Sequence, residues 1–245
     1  MNVDVVGESC IDRYIYGICE RICPEGPVPV FNRLYEVEAL GMASNTYNNM
    51  VVFFDNVSLV SNNPKEITKT RFVDIRSNQL LLRVDENDQC ERISEHVSEC
   101  DIMVVSDYCK GFLANEDIAT LGKLANRLSV LDTKRKLTQK IIDSYSFIKV
   151  SEKDYLANKK IIDSNKHKVV TTLGEKGVRF LGKVYEPRKI IQTFDVSGAG
   201  DVFTAAFTHV LSAGYSPLEA IDFAQNCCSQ VIQKKGTCTY EKDMD

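Results

Sequence analysis

The stretch that decides the fold is Asp195-Val196-Ser197-Gly198-Ala199-Gly200-Asp201, which continues into the apolar series Val202-Phe203-Thr204-Ala205-Ala206-Phe207. It predicts a small-residue turn that opens directly into an amphipathic helix. The first N–H groups of a helix are unpaired and carry partial positive charge, and glycine lets a phosphate approach them closely. A carboxylate there, Asp201, can take a proton from a hydroxyl where the amides hold an incoming phosphoryl group. The pattern favours phosphoryl transfer to an alcohol, although a bare Gly-x-Gly-Asp is more often an ordinary helix start.

The composition is that of one soluble α/β domain. The chain has 245 residues, 44% of them hydrophobic and 26% charged, which is enough for a full core. Its net charge of −4 argues against a general nucleic-acid role, so local basic residues must hold any anionic substrate. No apolar run reaches membrane-spanning length, and the N-terminus enters a strand pattern at once. We therefore expect a cytoplasmic protein with no membrane or targeting segment.

The nine cysteines do not have the spacing of a disulfide framework or a metal site. Their number is odd, and several stand at apolar positions, among them Cys10, Cys100 and Cys227. Cys19 and Cys23 lack a second ligand pair nearby, and the histidines are far apart in the sequence. We expect reduced cysteines that serve as small hydrophobic residues.

The apolar runs predict a parallel sheet with helices on both faces. Short apolar segments typical of buried strands cover 2–7, 57–61, 102–106, 130–132, 147–150 and 169–172. Helical patterns cover 44–53, 115–128, 200–213 and 217–234. Extended runs at 28–38, 66–75 and 79–85 include a hairpin signal at Arg76-Ser77-Asn78. Alternating strands and helices imply a sheet covered on both sides.

A second stretch narrows the interpretation, because it resembles a particular kinase family. It reads Val5-Val6-Gly7-Glu8-Ser9-Cys10-Ile11-Asp12-Arg13-Tyr14-Ile15-Tyr16-Gly17 and continues with Arg21-Ile22-Cys23-Pro24-Glu25-Gly26-Pro27-Val28-Pro29-Val30. With the Gly-Ala-Gly-Asp motif, it resembles the ribokinase-like (PfkB) sugar kinases, most nearly the D-glycero-β-D-manno-heptose 7-phosphate kinases. Two further segments support this resemblance, Ser77-Asn78-Gln79-Leu80-Leu81-Leu82-Arg83-Val84-Asp85 and Val105-Ser106-Asp107-Tyr108-Cys109-Lys110-Gly111. The resemblance covers nearly the whole chain.

The resemblance implies an α/β fold, a ribokinase-like three-layer sandwich with a mostly parallel sheet and a small β-lid. A single kinase domain would cover 1–245, with lid segments at about 15–37 and 66–85 inserted in the α/β core. The chain departs from the family at Asn62-Asn63-Pro64, which joins the strand at 57–61 almost directly to the second lid segment. The family usually has a helix and a strand there, so we expect one edge of the sheet to be trimmed.

The resemblance also implies catalysis that depends on ATP and Mg²⁺. Asp201 would be the catalytic base, and Gly198, Ala199 and Gly200 would form the phosphate cradle. No Gly-x-x-x-x-Gly-Lys-Ser/Thr segment offers a P-loop instead. On the nucleotide side, the family matches are Lys134, Ser151, Asp154, Thr172, Gly174, Gly177, Asn226 and Gly236. Asp154 would also support the metal, although it is one methylene shorter than the glutamate usual in the family.

Substrate residues follow from the same matches. Asp12 would hold sugar hydroxyls, and Arg13, Arg83 and Lys110 are candidates for a distal phosphate, with Asp107 beside Lys110. The family's Gly-Gly-Ala-Ala-Asn motif stands altered as Leu40-Gly41-Met42-Ala43-Ser44-Asn45, which keeps Gly41 and Asn45 as binding candidates. Met42 replaces a glycine that normally lets the backbone approach the sugar. That change either narrows the pocket or reflects a different sugar.

The function implied is phosphorylation of D-glycero-D-manno-heptose 7-phosphate at O1, which gives the 1,7-bisphosphate. A different sugar, or a catalytically silent PfkB-like scaffold, remains an alternative because two motifs are altered. The chain stops soon after its last helix, so we expect a separate nucleotidyltransferase to use the product. We also expect a homodimer formed through the lid, because apolar residues on its extended runs cannot all face one small core: Phe72, Ile75, Leu80 and Leu82.

Overall fold

The computed structural model describes residues 1–187, 196–233 and 239–241. Within these ranges the chain forms an eight-stranded sheet and a four-stranded sheet. The larger sheet has the strand order β4-β1-β7-β8-β9-β10-β11-β12, and it is parallel from β4 to β10 and antiparallel over its last two strands. Its strands are β1 Val3–Gly7, β4 Val57–Val60, β7 Cys100–Asp107, β8 Ala125–Thr133, β9 Phe147–Ser151, β10 Val169–Thr172, β11 Val178–Phe180 and β12 Lys183–Tyr185. The predicted mostly parallel sheet is confirmed.

Helices cover both faces of this sheet, as the apolar runs predict. They are α1 Ala43–Phe53, α2 Asn115–Leu121, α3 Gln139–Ser144, α4 Glu152–Ser164, α5 Ala199–Ser212 and α6 Pro217–Val231. Successive side chains of a strand point to opposite faces. Along β7, Ile102 and Val104 therefore pack in the core under α1, α5 and α6, whereas Met103 and Val105 pack in the core under α2, α3 and α4. The fold is a three-layer sandwich.

The smaller sheet contains both segments predicted to form a lid and is named the lid after that prediction; its strand order is β3-β2-β5-β6. Its strands are β2 Ser9–Ile22, β3 Pro29–Met42, β5 Thr68–Asp74 and β6 Gln79–Glu86. β2 and β3 are longer than the predicted segment at 15–37, because their pairing continues down to Ser9 opposite Met42 at the edge of the core. The register places Asp12 beside Ala39 on one side and Lys69 on the other.

The connection between β4 and β5 is short, as the sequence predicts. β4 is the outermost strand on its side of the larger sheet. Asn63 caps a single 3₁₀ turn at Pro64–Glu66, which leads directly into β5. Within the described ranges, none of the helices combines the length and apolar character that crossing a bilayer requires.

The helix predicted at 115–128 is wrong in its second half. α2 ends at Leu121, and β8 begins at Ala125, opposite Cys100 of β7. Gly122 lies against the chain that follows α3, where a Cβ would stand 2.5 Å from the Ser144 carbonyl oxygen. Pairing with β7 and this close contact override the helical periodicity of the segment.

Met42 has an unusual backbone conformation at the junction between the lid strand β3 and the core helix α1. Its φ of 60° and ψ of −130° lie in a region that glycine adopts far more readily than other residues. Its side chain is only 4% exposed and packs with Cys10 and Ile67, against Tyr108. The family that the sequence resembles has glycine at this position. Because Met42 has a side chain at this positive φ, the backbone is strained by an energy of order 1–3 kcal/mol at the junction between lid and core.

We predict that Met42→Gly is more stable than Met42→Ala by about 1 kcal/mol, because relief of the positive-φ strain outweighs the backbone entropy that glycine loses on folding. Urea unfolding of the two variants, followed by circular dichroism, measures the difference. Ala157→Gly in the exposed middle of α4 is the control, and there glycine should cost about 1 kcal/mol. A Met42→Ala variant as stable as Met42→Gly would show that the strain is absent.

Candidate active site

Asp201 lies where three parts of the chain meet. It stands in the first turn of α5, at the carboxyl ends of the parallel strands, and is 3% exposed. Its Oδ2 accepts a hydrogen bond from Asn45 Nδ2 at 2.7 Å. Its Oδ1 accepts from the Thr46 hydroxyl at 3.2 Å and from the Tyr108 hydroxyl at 2.9 Å. Asn45 and Thr46 come from α1, and Tyr108 from the loop after β7, so these donors fix the carboxylate in one orientation.

Burial raises the pKa of Asp201 to about 6, because removal from water disfavours its charged form. The hydrogen bond from Asn45, the positive charge of Lys149 and the hydrogen bond from Tyr108 act in the opposite direction, whereas the charge of Asp132 raises the pKa further. The carboxyl group is therefore ionised at neutral pH while its pKa stays close to neutrality. These are the properties that a general base needs.

The turn before Asp201 is shaped for close approach of an anion. Gly198 has a φ of 81°, which glycine adopts without strain, and it caps α5. A Cβ on Gly200 would stand 2.9 Å from the Lys149 ammonium, which itself donates to the Gly200 carbonyl at 3.3 Å. Lys149 also pairs with Asp132 at 2.6 Å. This ion pair, at the ends of β8 and β9, ties the Gly-Ala-Gly turn to the sheet.

The lid supplies a second carboxylate, Asp12 of β2. It is buried and pairs with Arg71 of β5 at 2.5 Å. Gly41 of β3 leaves room for it, since a Cβ there would stand 2.2 Å from Asp12 Oδ2. The neighbouring thiol of Cys10 has a pKa raised to about 12, first by burial and then by the charges of Asp12 and, more weakly, Asp201. The charges of both carboxylates therefore reach the same thiol, which lies between lid and core.

Comparisons with known proteins identify this arrangement. Residues 43–243 match the model of the pfkB family carbohydrate kinase. The chain belongs to that family. The bifunctional protein HldE of Aliarcobacter butzleri is 28% identical, over 99% of this chain and 63% of the relative. The chain spans about three-fifths of the length of the curated relatives it matches.

Solved structures agree on the ribokinase-like fold. Arabidopsis thaliana ribokinase, described as complexed with ribose and ATP, has a TM-score of 0.65 and 17% identity, over 96% of this chain and 93% of that one. The tetrameric inhibited form of phosphofructokinase-2 from Escherichia coli has a TM-score of 0.66 and 15% identity, over 98% and 95%. Family and fold together support an ATP-dependent sugar kinase.

The residues predicted for a distal phosphate do not converge in this pfkB chain. Arg13 points to the face of β2 opposite Asp12 and pairs with Glu38 at 2.7 Å. Arg83 pairs with Asp85 of its own strand at 2.8 Å and stays half exposed. Arg13 and Asp12 lie on different faces because side chains alternate along a strand, and the phosphate role of Arg13 stays a prediction.

Asp107 has a structural role that the resemblance does not suggest. Its side chain is fully buried and accepts from Arg135 Nη2 at 2.8 Å and Nε at 3.0 Å, and from the Thr133 hydroxyl at 2.5 Å. The carboxylate is thus occupied by donors of this chain and joins the end of β7 to the end of β8. The substrate contact of Asp107 stays a prediction, and the observed contacts are structural.

Lys110 and Glu8 belong to the support of the Tyr108 loop. The Lys110 ammonium pairs with Asp88. The buried Glu8 accepts from the Tyr108 amide at 2.8 Å and from the Lys110 amide at 3.0 Å. Burial, and secondarily the charge of Asp107, raises the pKa of Glu8. Sequence reasoning missed Glu8, Thr46, Tyr108 and Lys149 as site residues, although all of them lie inside or beside the quoted motifs or predicted strand ends.

Ser151 and Asp154, predicted on the nucleotide side, lie at the carboxyl end of β9. Ser151 caps α4: its hydroxyl accepts from the Asp154 amide at 3.3 Å and donates to the Asp154 carboxylate at 2.5 Å. Among the described residues no group of three or more His, Cys, Asp or Glu side chains could hold a metal. The metal role of Asp154 therefore stays a prediction, and the observed contact is a helix cap.

The remaining predicted nucleotide residues are spread over three places. Thr172 ends β10, and Gly174 and Gly177 make the turn into β11, both with positive φ. Asn226 is exposed on α6. Asp195 and Gly236 lie outside the described residues. The Lys134 ammonium lies 4.1 Å from the centre of the Tyr108 ring, whose hydroxyl donates to Asp201, and the nucleotide role of Lys134 stays a prediction.

We predict that sugar-kinase turnover falls tenfold per pH unit below about pH 6, because only the ionised Asp201 can accept a proton and its pKa is about 6. Tyr108→Phe should move this acidic limb to higher pH, since it removes a hydrogen bond that lowers the pKa of Asp201. Profiles of kcat/KM against pH for wild type and variant measure both effects.

Two further variants serve as controls for that profile. Tyr215→Phe alters an exposed tyrosine and should leave the limb in place. Asp201→Asn should retain the fold while turnover drops by about 10²-fold or more. An Asp201→Asn enzyme with near wild-type turnover would contradict the role of Asp201 as the base.

Proposed function

We propose that the chain phosphorylates D-glycero-D-manno-heptose 7-phosphate at O1, with ATP and Mg²⁺, to give the 1,7-bisphosphate. The observation that carries this proposal is the buried Asp201 carboxylate at the start of α5, held by donors from α1 and the Tyr108 loop. The choice of sugar rests on the Asp12-Arg13-Tyr14 and Pro27-Val28-Pro29-Val30 matches and on the HldE relatives, which resemble this chain over nearly its whole length.

In this proposal Asp201 accepts the proton of the O1 hydroxyl. The hydrogen bonds from Asn45, Thr46 and Tyr108 keep the carboxylate aimed at that hydroxyl, so little reorganisation accompanies proton transfer. Asp12 accepts hydrogen bonds from other hydroxyls of the sugar, and its partner Arg71 holds it in place. The Gly198-to-Gly200 turn receives the phosphoryl group at the positive end of α5.

The residues at this turn fit the phosphates of ATP. Three features of the turn suit an anion: the N-terminus of α5, the left-handed conformation of Gly198, and the missing Cβ of Gly200 next to the Lys149 ammonium. Mg²⁺ keeps several waters and is usually held by one or two carboxylates plus substrate phosphates, which is compatible with a single candidate carboxylate at Asp154. When bound, ATP supplies the phosphoryl group and Mg²⁺ neutralises charge on the phosphates.

A kinase for a different sugar is a second candidate, and Met42 is the observation that favours it. Its buried side chain occupies space beside Tyr108 that a glycine would leave empty. Such a pocket accepts a smaller or differently substituted acceptor. A silent scaffold is less consistent with an Asp201 carboxylate that keeps its motif, its three donors and a pKa of about 6.

We predict that heptose 7-phosphate gives the highest kcat/KM in a panel of sugar phosphates and free sugars. ADP release, followed by a coupled assay, measures turnover, and ³¹P spectra identify the phosphorylated oxygen. Asp201→Asn is the negative control for contaminating kinases. A higher kcat/KM for another sugar would replace the substrate, and no turnover with any member of the panel would favour the scaffold.

We also propose a homodimer formed through the lid. Leu80 and Leu82 of β6 are 57% and 55% exposed, and Phe72 of the neighbouring strand is only partly covered. A second copy of the chain would cover this apolar surface and the free edge of β6. The tetrameric form of phosphofructokinase-2 is an oligomer with the same fold, which supports self-association as the occupant. A separate nucleotidyltransferase that accepts sugar 1-phosphates is the proposed partner enzyme.

Light scattering should give about twice the 27.6 kDa chain mass at micromolar concentration. Leu82→Asp should shift the mass towards one chain, because it places a charge in the covered surface. Leu156→Asp is a matched control, since Leu156 is 67% exposed on α4, outside the lid. A wild-type protein with the mass of a single chain would refute the dimer.

A further inference from the structure

Two lysines lie over the ring of Tyr108. The Lys134 ammonium is 4.1 Å from the ring centre, and the Lys69 ammonium is 5.4 Å from it. The hydroxyl of the same ring donates to Asp201 at 2.9 Å. Lys69 comes from the lid strand β5 and Lys134 follows the core strand β8, so the two positive charges near this ring come from different sheets.

Neither lysine has a carboxylate partner within the described ranges, whereas the other basic residues around the site do. Arg71 pairs with Asp12, Lys110 with Asp88, and Lys149 with Asp132. Lys69 donates only to the thioether sulfur of Met42 at 3.3 Å, and a thioether is a weak acceptor. Two ammonium groups held near each other without a counter-ion repel, and an anion between them would relieve the repulsion.

The electrostatic environment of Lys134 agrees with this description. Its pKa is lowered, first because the surrounding protein removes water from the ammonium and next because Lys69 is close. Lys110 and Lys149 lower it further, and only Asp132 acts against them. Positive charge is therefore in local excess at this point of a chain whose net charge is −4.

We propose that Lys69 and Lys134 form a subsite for a phosphate dianion carried by the acceptor substrate. The inference rests on the proposed function and deepens it, since it assigns distal-phosphate recognition to these lysines in place of Arg13 and Arg83. The same chemistry could come from the terminal phosphate of the nucleotide. The acceptor is favoured because Lys69 is the strand neighbour of Asp12.

The subsite also explains how substrate would join the lid to the core. A phosphate bound by Lys69 and Lys134 contacts both parts of the protein at once, beside the strained hinge residue Met42. The sulfur of Met42 accepts from the Lys69 ammonium, and both ammonium groups make cation–π contacts with the Tyr108 ring.

The test compares Lys69→Met and Lys134→Met with Lys183→Met, a matched change of an exposed lysine on β12. Each of the first two variants should raise KM for the sugar phosphate by about tenfold or more. Lys69→Arg keeps the positive charge, so it should avoid much of this increase in KM. KM for the same sugar without its phosphate should change little. Melting temperatures confirm that the variants fold.

Two binding measurements without turnover complete the test. Inorganic phosphate, titrated calorimetrically into each protein, should bind to wild type and Lys183→Met and bind about tenfold more weakly to the other two. ATP alone should bind all four proteins with similar affinity. Loss of ATP binding in Lys69→Met and Lys134→Met would assign the anion to the nucleotide and overturn the proposal, as would unchanged phosphate binding. Lysine-dependent phosphate binding in an enzyme inactive on heptose 7-phosphate would support the subsite and refute only the proposed substrate.

Discussion

The site depends on one constraint, the burial of the Asp201 carboxylate at the positive end of α5. A buried carboxylate is costly unless donors surround it, and here the donors come from α1 and from the loop after β7. Helix α1 must therefore lie against α5, and the loop must return over the end of the sheet. The same burial raises the pKa of the carboxyl group to about 6, so the structural cost and the catalytic property have a single cause.

The Tyr108 loop is fixed by a second buried acid, Glu8. Its carboxylate accepts from the Tyr108 and Lys110 amides, and its backbone carbonyl accepts from the Ala43 amide at 2.8 Å. Glu8 thus connects the end of β1, the start of α1 and the loop that carries the Asp201 donor. A residue with no direct contact to the reacting atoms can in this way set the position of the base.

The sequence alone predicts much of the fold, because apolar runs bounded by turn residues are local signals. The strand at 169–172 has the predicted bounds, and the lid hairpin forms around the predicted turn. The helix at 115–128 fails since its second half pairs with β7, a contact that periodicity cannot reveal. The same limit applies to the site. Asp201 and Asn45 belong to motifs that the sequence shows directly. Glu8, Thr46 and Lys149 contact partners far away in the sequence, and a spacing pattern does not encode such contacts.

Charge pairing distinguishes the motif-based candidates for a phosphate site from the proposed subsite of Lys69 and Lys134. A basic residue that already holds a carboxylate must lose that partner before it can bind an anion, and the exchange gains little. Arg13 and Lys110 are in this position, with Glu38 and Asp88 as their partners. Among the described residues no carboxylate pairs with Lys69 or Lys134, so neither exchanges such a partner when a phosphate arrives. In a chain of net negative charge, we therefore place the proposed phosphate subsite at the ammonium groups that have no carboxylate partner among the described residues, and not by the number of basic residues.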